Sequence, residues 1–231
     1  MSEPLSEPVI FPLGDGALTV EFGRRIAVAA NDRVLDLFDY FERNSFRGLI
    51  ETVPAFCTLT IFYDAFEVRS RNPRYPTAFE AVRALVAEGL EKSTETARPE
   101  TPPVEIPVAF DEESGPDLDY VAAINDLARE DVIEIFTSRV YRVFMLGFLP
   151  GFPYLGELDE RIAAPRRSVP RLVVPRGSVG IAGRQTGIYP IESPGGWQLV
   201  GRTDFRLFDP AKNPPCTLRP GDRIRFTVAM K

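Results

Sequence analysis

Residues 180–201 read GIAGRQTGIYPIESPGGWQLVG, and they contain six glycines, two prolines and the only tryptophan of the chain. Glycine permits positive φ and close approach of other groups, whereas proline fixes φ at about −65°. Glycine is also frequent around this stretch, because ten of the 17 glycines lie between positions 147 and 201. Short strands separated by such turns are typical of a closed barrel or a sandwich. The second half of the chain is therefore predicted to have one of these two folds.

The first hundred residues show a different pattern, which indicates a small mixed α/β domain. The segments VIFPL (9–13) and ALTVEF (17–22) flank an Asp-Gly pair and predict a hairpin. The spacing of apolar residues predicts a helix over 31–44, with Asn31 or Asp32 as its N-cap. GLIETV and CTLTIFY then read as two strands. A T-x-x-E capping box formed by Thr77 and Glu80 predicts the start of a second helix.

A polar, proline-rich segment, EKSTETARPETPP (91–103), is the best candidate for an interdomain linker. We therefore expect one domain over residues 1–95 and a second over 103–231. In the second domain, VEIPVAF reads as a strand, 114–128 and 129–138 as helices, and RIRFTVAM as a closing strand.

Composition excludes several kinds of function. The net charge of −6 and the pI of about 5.0 argue against nucleic acid or an anionic membrane as a partner. No apolar run approaches the ~20 residues that span a bilayer, and the N-terminus lacks the pattern of a signal peptide. Two distant cysteines, Cys57 and Cys216, indicate a reducing cytoplasm rather than a disulfide framework.

The chain contains no histidine. A His-assisted serine or cysteine nucleophile therefore cannot form within it, and a His-containing zinc site is excluded. Two separated cysteines make a Cys-only metal site implausible, so no metal is expected. Acid–base chemistry would need Asp, Glu, Lys or Tyr, or residues from another subunit.

Three short segments concentrate unusual side chains and backbone. GFLPGFPY (147–154) alternates aromatic rings with glycine and proline, RQTG (184–187) places a guanidinium, an amide and a hydroxyl beside a glycine, and SPGGW (193–197) predicts a tight turn presenting an indole. Together these segments could form a rigid cluster with exposed N–H groups, suited to a small polar or anionic ligand. Ordinary tight turns with a buried tryptophan are the structural alternative.

The sequence closely resembles one family over nearly the whole chain. The segments that carry the resemblance are FMLGFLPGFPYL, APRRSVPRLVVPRGSVGIAGRQTGIYPIESPGGWQLVGRT and LFDP, together with PLGDGALTVEFG near the N-terminus. It is the family of the 5-oxoprolinase subunit PxpB and the kinase inhibitor KipI. The family was formerly called allophanate hydrolase subunit 1. It is related to the first part of the carboxyltransferase domain of urea carboxylase. The resemblance implies an α+β fold, with a small N-terminal α/β sandwich domain and a C-terminal cyclophilin-like β-barrel.

The resemblance also implies partners and a reaction. Family members usually act with a homologous subunit, PxpC or KipA, and with a third subunit, PxpA. Together they open 5-oxo-L-proline to L-glutamate in an ATP-dependent hydrolysis, so this chain alone would be inactive. ATP is the implied cofactor. Its binding site would lie either in this chain or elsewhere in the complex. Regulation of a histidine kinase, as described for KipI, and the carboxyltransferase role in a biotin-dependent urea or amide carboxylase are the alternatives.

The implied reaction develops negative charge on a phosphorylated lactam oxygen and a tetrahedral intermediate, which fixed hydrogen-bond donors would stabilise. The catalytic candidates are Arg184, Gln185 and Thr186. The substrate-binding candidates are Gly187, Tyr189, Ser193, Gly195, Gly196, Trp197, Arg166 and Arg202. Residues expected to contact either a ligand or a partner subunit are Phe148, Pro150, Gly151 and Phe152. The structural alternatives are core packing for the tyrosine and tryptophan, a salt bridge for Arg166 and turn-stabilising hydrogen bonds for Gln185 and Thr186.

Several features depart from the family or mimic other motifs. Phe136 stands where the family often has a histidine, and Asp204 ends a GRTD segment where GRTP is usual. The C-terminal AMK resembles part of a biotin-accepting turn, but such a turn needs strands on both sides of the lysine. We therefore expect no biotin on this chain. No G-x-x-x-x-G-K-[ST] phosphate loop is present, so P-loop binding of ATP is not predicted.

Overall fold

The computed structural model describes residues 7–93 and 102–229. The chain divides into two compact units, Met1–Pro99 and Glu100–Lys231. The predicted linker over 91–103 lies mostly outside the described residues, as does the C-terminal Lys231, so both interpretations stay predictions. None of the helices within the described residues is long and apolar enough to cross a membrane.

The first unit is built on a four-stranded antiparallel sheet with the strand order β1-β2-β4-β3. The strands are β1 (Val9–Pro12), β2 (Ala17–Glu21), β3 (Leu49–Pro54) and β4 (Thr58–Tyr63). The predicted hairpin is confirmed, because Val9 of β1 pairs with Glu21 of β2. Its turn is closed by the N–H of Leu13, which donates to the carbonyl of Ala17 over 2.9 Å.

Three helices belong to this unit: α1 (Val28–Arg43), α2 (Ala65–Arg71) and α3 (Ala78–Lys92). The predicted capping box at the start of α3 is confirmed. The Thr77 hydroxyl accepts from the Glu80 N–H over 3.1 Å, and Glu80 accepts from the Thr77 N–H over 3.1 Å. The sequence did not predict α2, which Asp64 caps by accepting from the N–H groups of Phe66 and Glu67.

The predicted N-cap of α1 is wrong. The helix begins three residues before Asn31, which is fully buried inside it. The Asn31 side chain donates to the carbonyls of Ala55 and Phe56, each over 3.1 Å. Asn31 therefore satisfies the backbone between β3 and β4, a long-range role that a local capping pattern cannot reveal.

The core of the first unit lies between the sheet and helices α1 and α3. Alternate residues of β4 face it, since Leu59, Ile61 and Tyr63 are buried whereas Phe62 is 36% exposed. This period-2 alternation is what a sheet with one covered face requires.

The second unit is a seven-stranded, barrel-like sheet with the order β12-β9-β10-β7-β6-β13-β5. Its strands are β5 (Val104–Val108), β6 (Val140–Leu146), β7 (Pro153–Leu155), β9 (Ser178–Ala182), β10 (Gln185–Ile188), β12 (Gln198–Arg202) and β13 (Arg223–Val228). The two edge strands meet where Ala109 and Arg202 exchange backbone hydrogen bonds of 2.8 and 2.9 Å. This bridge nearly closes the sheet, which removes the exposed edges that an open sheet would carry.

A separate two-stranded ribbon and two short helices complete the second unit. The ribbon pairs β8 (Arg171–Val174) with β11 (Ser193–Gly195), and the helices are α4 (Leu118–Ile124) and α5 (Arg129–Thr137), with a 3₁₀ turn at Glu160–Ile162. Both predicted helices exist, although α4 is shorter than the predicted range 114–128. The predicted fold class, α+β with a C-terminal barrel, is confirmed.

The barrel core contains Phe136, the position at which the resemblance described above led us to expect a histidine. Its ring is 1% exposed and stacks on Phe226, with centroids 4.7 Å apart and planes 21° apart. The edge of Phe110 packs against it, and its carbonyl accepts a 2.8 Å hydrogen bond from the Tyr141 hydroxyl. At this position the chain therefore places an apolar core residue rather than a titrating imidazole.

Candidate functional site

The glycine-rich stretch contributes to both faces of the barrel sheet. In β9, Val179 and Ile181 enter the barrel core, whereas Ala182 belongs to a separate cluster on the opposite face. That outer cluster contains Phe152, Val174, Ala182, Tyr189, Trp197 and Leu199, with Leu149 and Tyr154 packed against it. The sequence thus builds a second, aromatic core outside the barrel.

Two glycines make room for this aromatic layer. A Cβ atom at Gly187 would lie 2.8 Å from the Phe152 ring and 2.8 Å from the Pro153 carbonyl oxygen. A Cβ atom at Gly180 would lie 3.0 Å from that of Trp197. Both distances are shorter than ordinary van der Waals contact. The rings therefore rest directly on the backbone of β9 and β10.

Phe152 lies at the centre of the aromatic cluster. Its ring centroid is 4.9 Å from that of Tyr154, 5.2 Å from Tyr189 and 5.5 Å from Trp197. Phe148 meets its edge at 5.6 Å, and 61% of the Phe148 residue remains exposed. The pairs of Phe152 with Phe148, Tyr189 and Trp197 are edge-to-face and the pair with Tyr154 is tilted, all at distances that aromatic pairs favour. The centre of the cluster is buried, and the Phe148 ring is exposed at its margin.

A cationic side chain adjoins the same cluster. The guanidinium of Arg166 lies 5.8 Å from the Trp197 ring centroid, within the range of a cation–π contact. Arg166 is exposed and forms no ion pair with any residue in the described ranges. Burial raises the pKa of the Tyr189 and Tyr154 hydroxyls, so both stay protonated at neutral pH. The margin of the cluster therefore offers a positive charge beside aromatic surface, which suits a small anion.

The three catalytic candidates lie at the hairpin between β9 and β10, and they differ in availability. The Thr186 hydroxyl is fully buried and donates to the Gly180 carbonyl over 2.9 Å. Gln185 is half-buried at the start of β10. The Arg184 side chain is 69% exposed, and its closest acidic neighbour is Glu160 at 3.8 Å. Arg184 is thus the candidate whose charged group is most accessible to a ligand.

The remaining candidates near the cluster are mainly packing positions. A Cβ atom added at Gly195 would lie 2.4 Å from the Tyr189 hydroxyl oxygen. A Cβ atom added at Gly196 would have no neighbouring atom closer than 3.6 Å. The Ser193 hydroxyl lies 3.2 Å from the Pro194 carbonyl. Gly151 has φ +78° and faces the backbone of Leu207. Pro150 is exposed.

Arg202 lies apart from the other candidates. It pairs with Ser178 at one end of β9, whereas Gln185 pairs with Ala182 at the other end. Arg202 lines a separate cleft together with Thr203 and Asp204. The structure therefore brings Arg166 to the aromatic residues, places Arg184 at the β9–β10 hairpin beside Glu160, and puts Arg202 in this separate cleft.

Sequence reasoning missed a buried ionic cluster that holds this region together. Asp117 is 5% exposed and accepts hydrogen bonds from Arg167 at 3.1 Å and Arg171 at 2.8 Å. Its second oxygen accepts from the N–H of Leu199 in β12 over 2.7 Å. The Arg167 N–H also donates to the carbonyl of Gly196 over 2.8 Å. Asp117 thereby fixes the segment that carries Arg166 against the outer face.

Charge distribution along the sequence could have drawn attention to this cluster. Residues 161–191 contain six arginines and no acidic residue, although the whole chain carries a net charge of −6. Such an excess of one sign in a partly buried segment requires acidic partners from elsewhere, anionic ligands, or both. Nothing local in the sequence identifies Asp117 as that partner.

Residues 8–218 match the carboxyltransferase domain, subdomain C and D, family. The chain belongs to this family. Two of its relatives are named as subunits of 5-oxoprolinase. The chain is 50% identical to the one from Bacillus subtilis (strain 168), over 93% of this chain and 90% of the relative. It is 41% identical to the one from Escherichia coli O157:H7, over 93% of each. The resemblance inferred from the sequence motifs is therefore confirmed.

The family fold also agrees with a solved structure. The crystal structure of TTHA0988 superposes with a TM-score of 0.79 at 38% identity, covering 93% of this chain. This chain spans only 40% of TTHA0988. The similarity to that protein thus concerns one part of a longer polypeptide.

Proposed function

We propose that this chain is a subunit of an ATP-dependent 5-oxoprolinase, which converts 5-oxo-L-proline, ATP and water to L-glutamate, ADP and phosphate. The 50% identity to the 5-oxoprolinase subunit of Bacillus subtilis supports this proposal most strongly. The match spans 93% of this chain, so both of its units are included. The partners would be a homologous PxpC-like (KipA-like) subunit and a PxpA-like subunit, and the complex would act in the cytoplasm.

The margin of the aromatic cluster supports a role in holding an anionic substrate. 5-Oxo-L-proline carries a carboxylate on a compact lactam ring, which has two apolar methylene groups beside its polar amide. The Arg166 guanidinium beside Trp197 offers a charge-assisted donor, and the exposed Phe148 ring offers apolar surface at the same cluster. Arg184 would then be available to stabilise charge that develops as the lactam opens. Thr186 would act indirectly, by holding the hairpin that carries Arg184.

Phosphorylation of the lactam oxygen by ATP would make the ring amide susceptible to attack by water. This chain contributes no P-loop. We therefore assign ATP to the assembled complex and assign to this chain the positioning of the substrate.

ATP hydrolysis by the complex tests the proposal. The chain would be purified with its partner subunits, and phosphate release measured with and without 5-oxo-L-proline. We expect stimulation by 5-oxo-L-proline that disappears when this chain is left out. Arg166→Gln should lower the stimulated rate on the order of 10–100-fold, the scale of one lost charge-assisted hydrogen bond. Arg83→Gln is the matched control, because Arg83 is exposed on α3 in the first unit.

Two outcomes would overturn the proposal. Absence of stimulation while both partners are present would contradict a 5-oxoprolinase and redirect attention to the two alternative functions. Association with a biotinylated chain would then favour a carboxyltransferase role. Reduced autophosphorylation of a histidine kinase would favour a KipI-like inhibitor. Equal rates for Arg166→Gln and Arg83→Gln would instead contradict only the assigned role of Arg166.

A further inference from the structure

A cleft of about 460 Å³ lies at the seam where the barrel sheet closes. The bridged residues Ala109 and Arg202 both line it, together with Pro107, Ser114, Asp204 and Phe205. Clefts of about 300–1,000 Å³ are typical of small-molecule sites. The cleft lies wholly within the second unit and is separate from the aromatic cluster.

Two opposite charges line this cleft without neutralising each other. Arg202 and Asp204 are both exposed, and neither forms an ion pair with another residue of the described ranges. The Arg202 Nε donates to the Arg176 carbonyl over 3.2 Å, which fixes the side chain and leaves its terminal nitrogens available. A charge pair that lines one cavity but stays unpaired offers complementary contacts to a ligand carrying both charges.

The backbone that presents these charges is held in place. The Thr203 N–H donates to the Gly177 carbonyl over 2.9 Å, and the Phe205 N–H donates to the Thr203 hydroxyl over 3.1 Å. These bonds fix the residues on both sides of Asp204. A pre-organised site loses less conformational entropy on binding than a mobile one.

We propose that this cleft binds a small zwitterionic amino acid with an apolar side chain. The ligand carboxylate pairs with Arg202, its ammonium pairs with Asp204, and its side chain contacts Pro107, Ala109 and Phe205. This proposal does not depend on the function proposed above.

A series of three ring compounds tests the two charges separately. L-Proline carries both charges, 5-oxo-L-proline retains the carboxylate but lacks the ammonium, and pyrrolidine retains the ammonium but lacks the carboxylate. Each would be titrated into the ¹⁵N-labelled full-length chain while backbone amide shifts are followed. We expect L-proline to bind about tenfold more tightly than either analogue, the effect of one lost charge-assisted hydrogen bond. The largest shifts should occur at Ala109, Ser114 and Phe205.

Two variants and a control assign the contacts. Asp204→Asn and Arg202→Gln should each weaken L-proline binding about tenfold, and the amide spectrum of each free variant reports whether the fold is intact. Arg219→Gln, at an exposed position that does not line the cleft, should bind like the unaltered chain. No L-proline binding, shifts outside the cleft, equal affinity for 5-oxo-L-proline, or an unchanged Asp204→Asn would each overturn the proposal. These readouts involve no turnover, so they are independent of the ATP-hydrolysis assay.

Discussion

At the scale of single residues, Gly180 and Gly187 are positions on the outer face where an added side chain would meet neighbouring atoms at 3.0 Å or less. Gly180 and Gly187 let Trp197 and Phe152 lie against the strand backbone. The sequence showed that glycine and aromatic residues are concentrated together, but it left open whether the rings bind a ligand or pack in a core. Tyr189 and Trp197 are 1% and 5% exposed, which makes packing their main contribution in this structure.

Gly187→Ala tests this steric account. The added methyl group would meet the Phe152 ring and a backbone carbonyl at 2.8 Å, so the free energy of unfolding should fall by about 1–3 kcal/mol. Gly196→Ala is the matched control, because its nearest neighbours are 3.6 Å away, and it should change stability by less than about 0.5 kcal/mol. Urea denaturation measures both. Equal stabilities for the two variants would contradict the assigned role of Gly187.

At the scale of secondary-structure elements, Asp117 connects the start of α4 to β12 and to the segment before β8. Its N–H donates to the Leu199 carbonyl, and its carboxylate accepts from Leu199, Arg167 and Arg171. Arg167 and Arg171 are respectively 50 and 54 residues from Asp117 in sequence. One buried carboxylate therefore positions three elements around the candidate site.

Asp117→Asn should lower the free energy of unfolding by about 2–4 kcal/mol. Loss of one partner from a buried ion pair commonly costs about 3–5 kcal/mol, and the remaining 35% and 23% side-chain exposure of Arg167 and Arg171 reduces this figure. Asp119→Asn removes a nearby carboxylate that is 72% exposed, and it should have an effect below about 1 kcal/mol. Thermal and urea unfolding compare the two. Similar losses would contradict the structural role assigned to Asp117.

Local patterns predicted some elements well and others not at all. The hairpin of β1 and β2 and the Thr77–Glu80 capping box depend on residues within a few positions of one another. Both predictions are confirmed. Asn31 and Asp117 act on backbone or side chains more than 20 residues away, which no local pattern encodes. Prediction of the candidate site was limited in the same way. The sequence indicated its residue types, but it did not show that these residues lie at two separate places in the fold.

At the scale of the whole molecule, glycine and proline residues between short strands predicted a barrel or a sandwich. They could not predict the order of the strands. The barrel depends on long-range pairing, such as the parallel register of Ile224 with Val104. The two units nonetheless have separate cores. The core of the first lies between residues 18 and 86, and those of the second lie between residues 106 and 226. Separate cores allow each unit to lose stability without the other.

A reciprocal pair of core substitutions tests this independence. Ile61 and Ile181 are both fully buried, one in the sheet core of the first unit and one in the barrel core of the second. Ile61→Ala should lower the stability of the first unit by about 2–5 kcal/mol, because it removes three buried carbons and leaves a cavity. Hydrogen exchange should then accelerate in β2 and β4 but not in β9 and β10. Ile181→Ala should produce the opposite pattern, since its methyl groups pack only within the barrel core. Acceleration throughout both units by either variant would mean that the chain unfolds as one cooperative body.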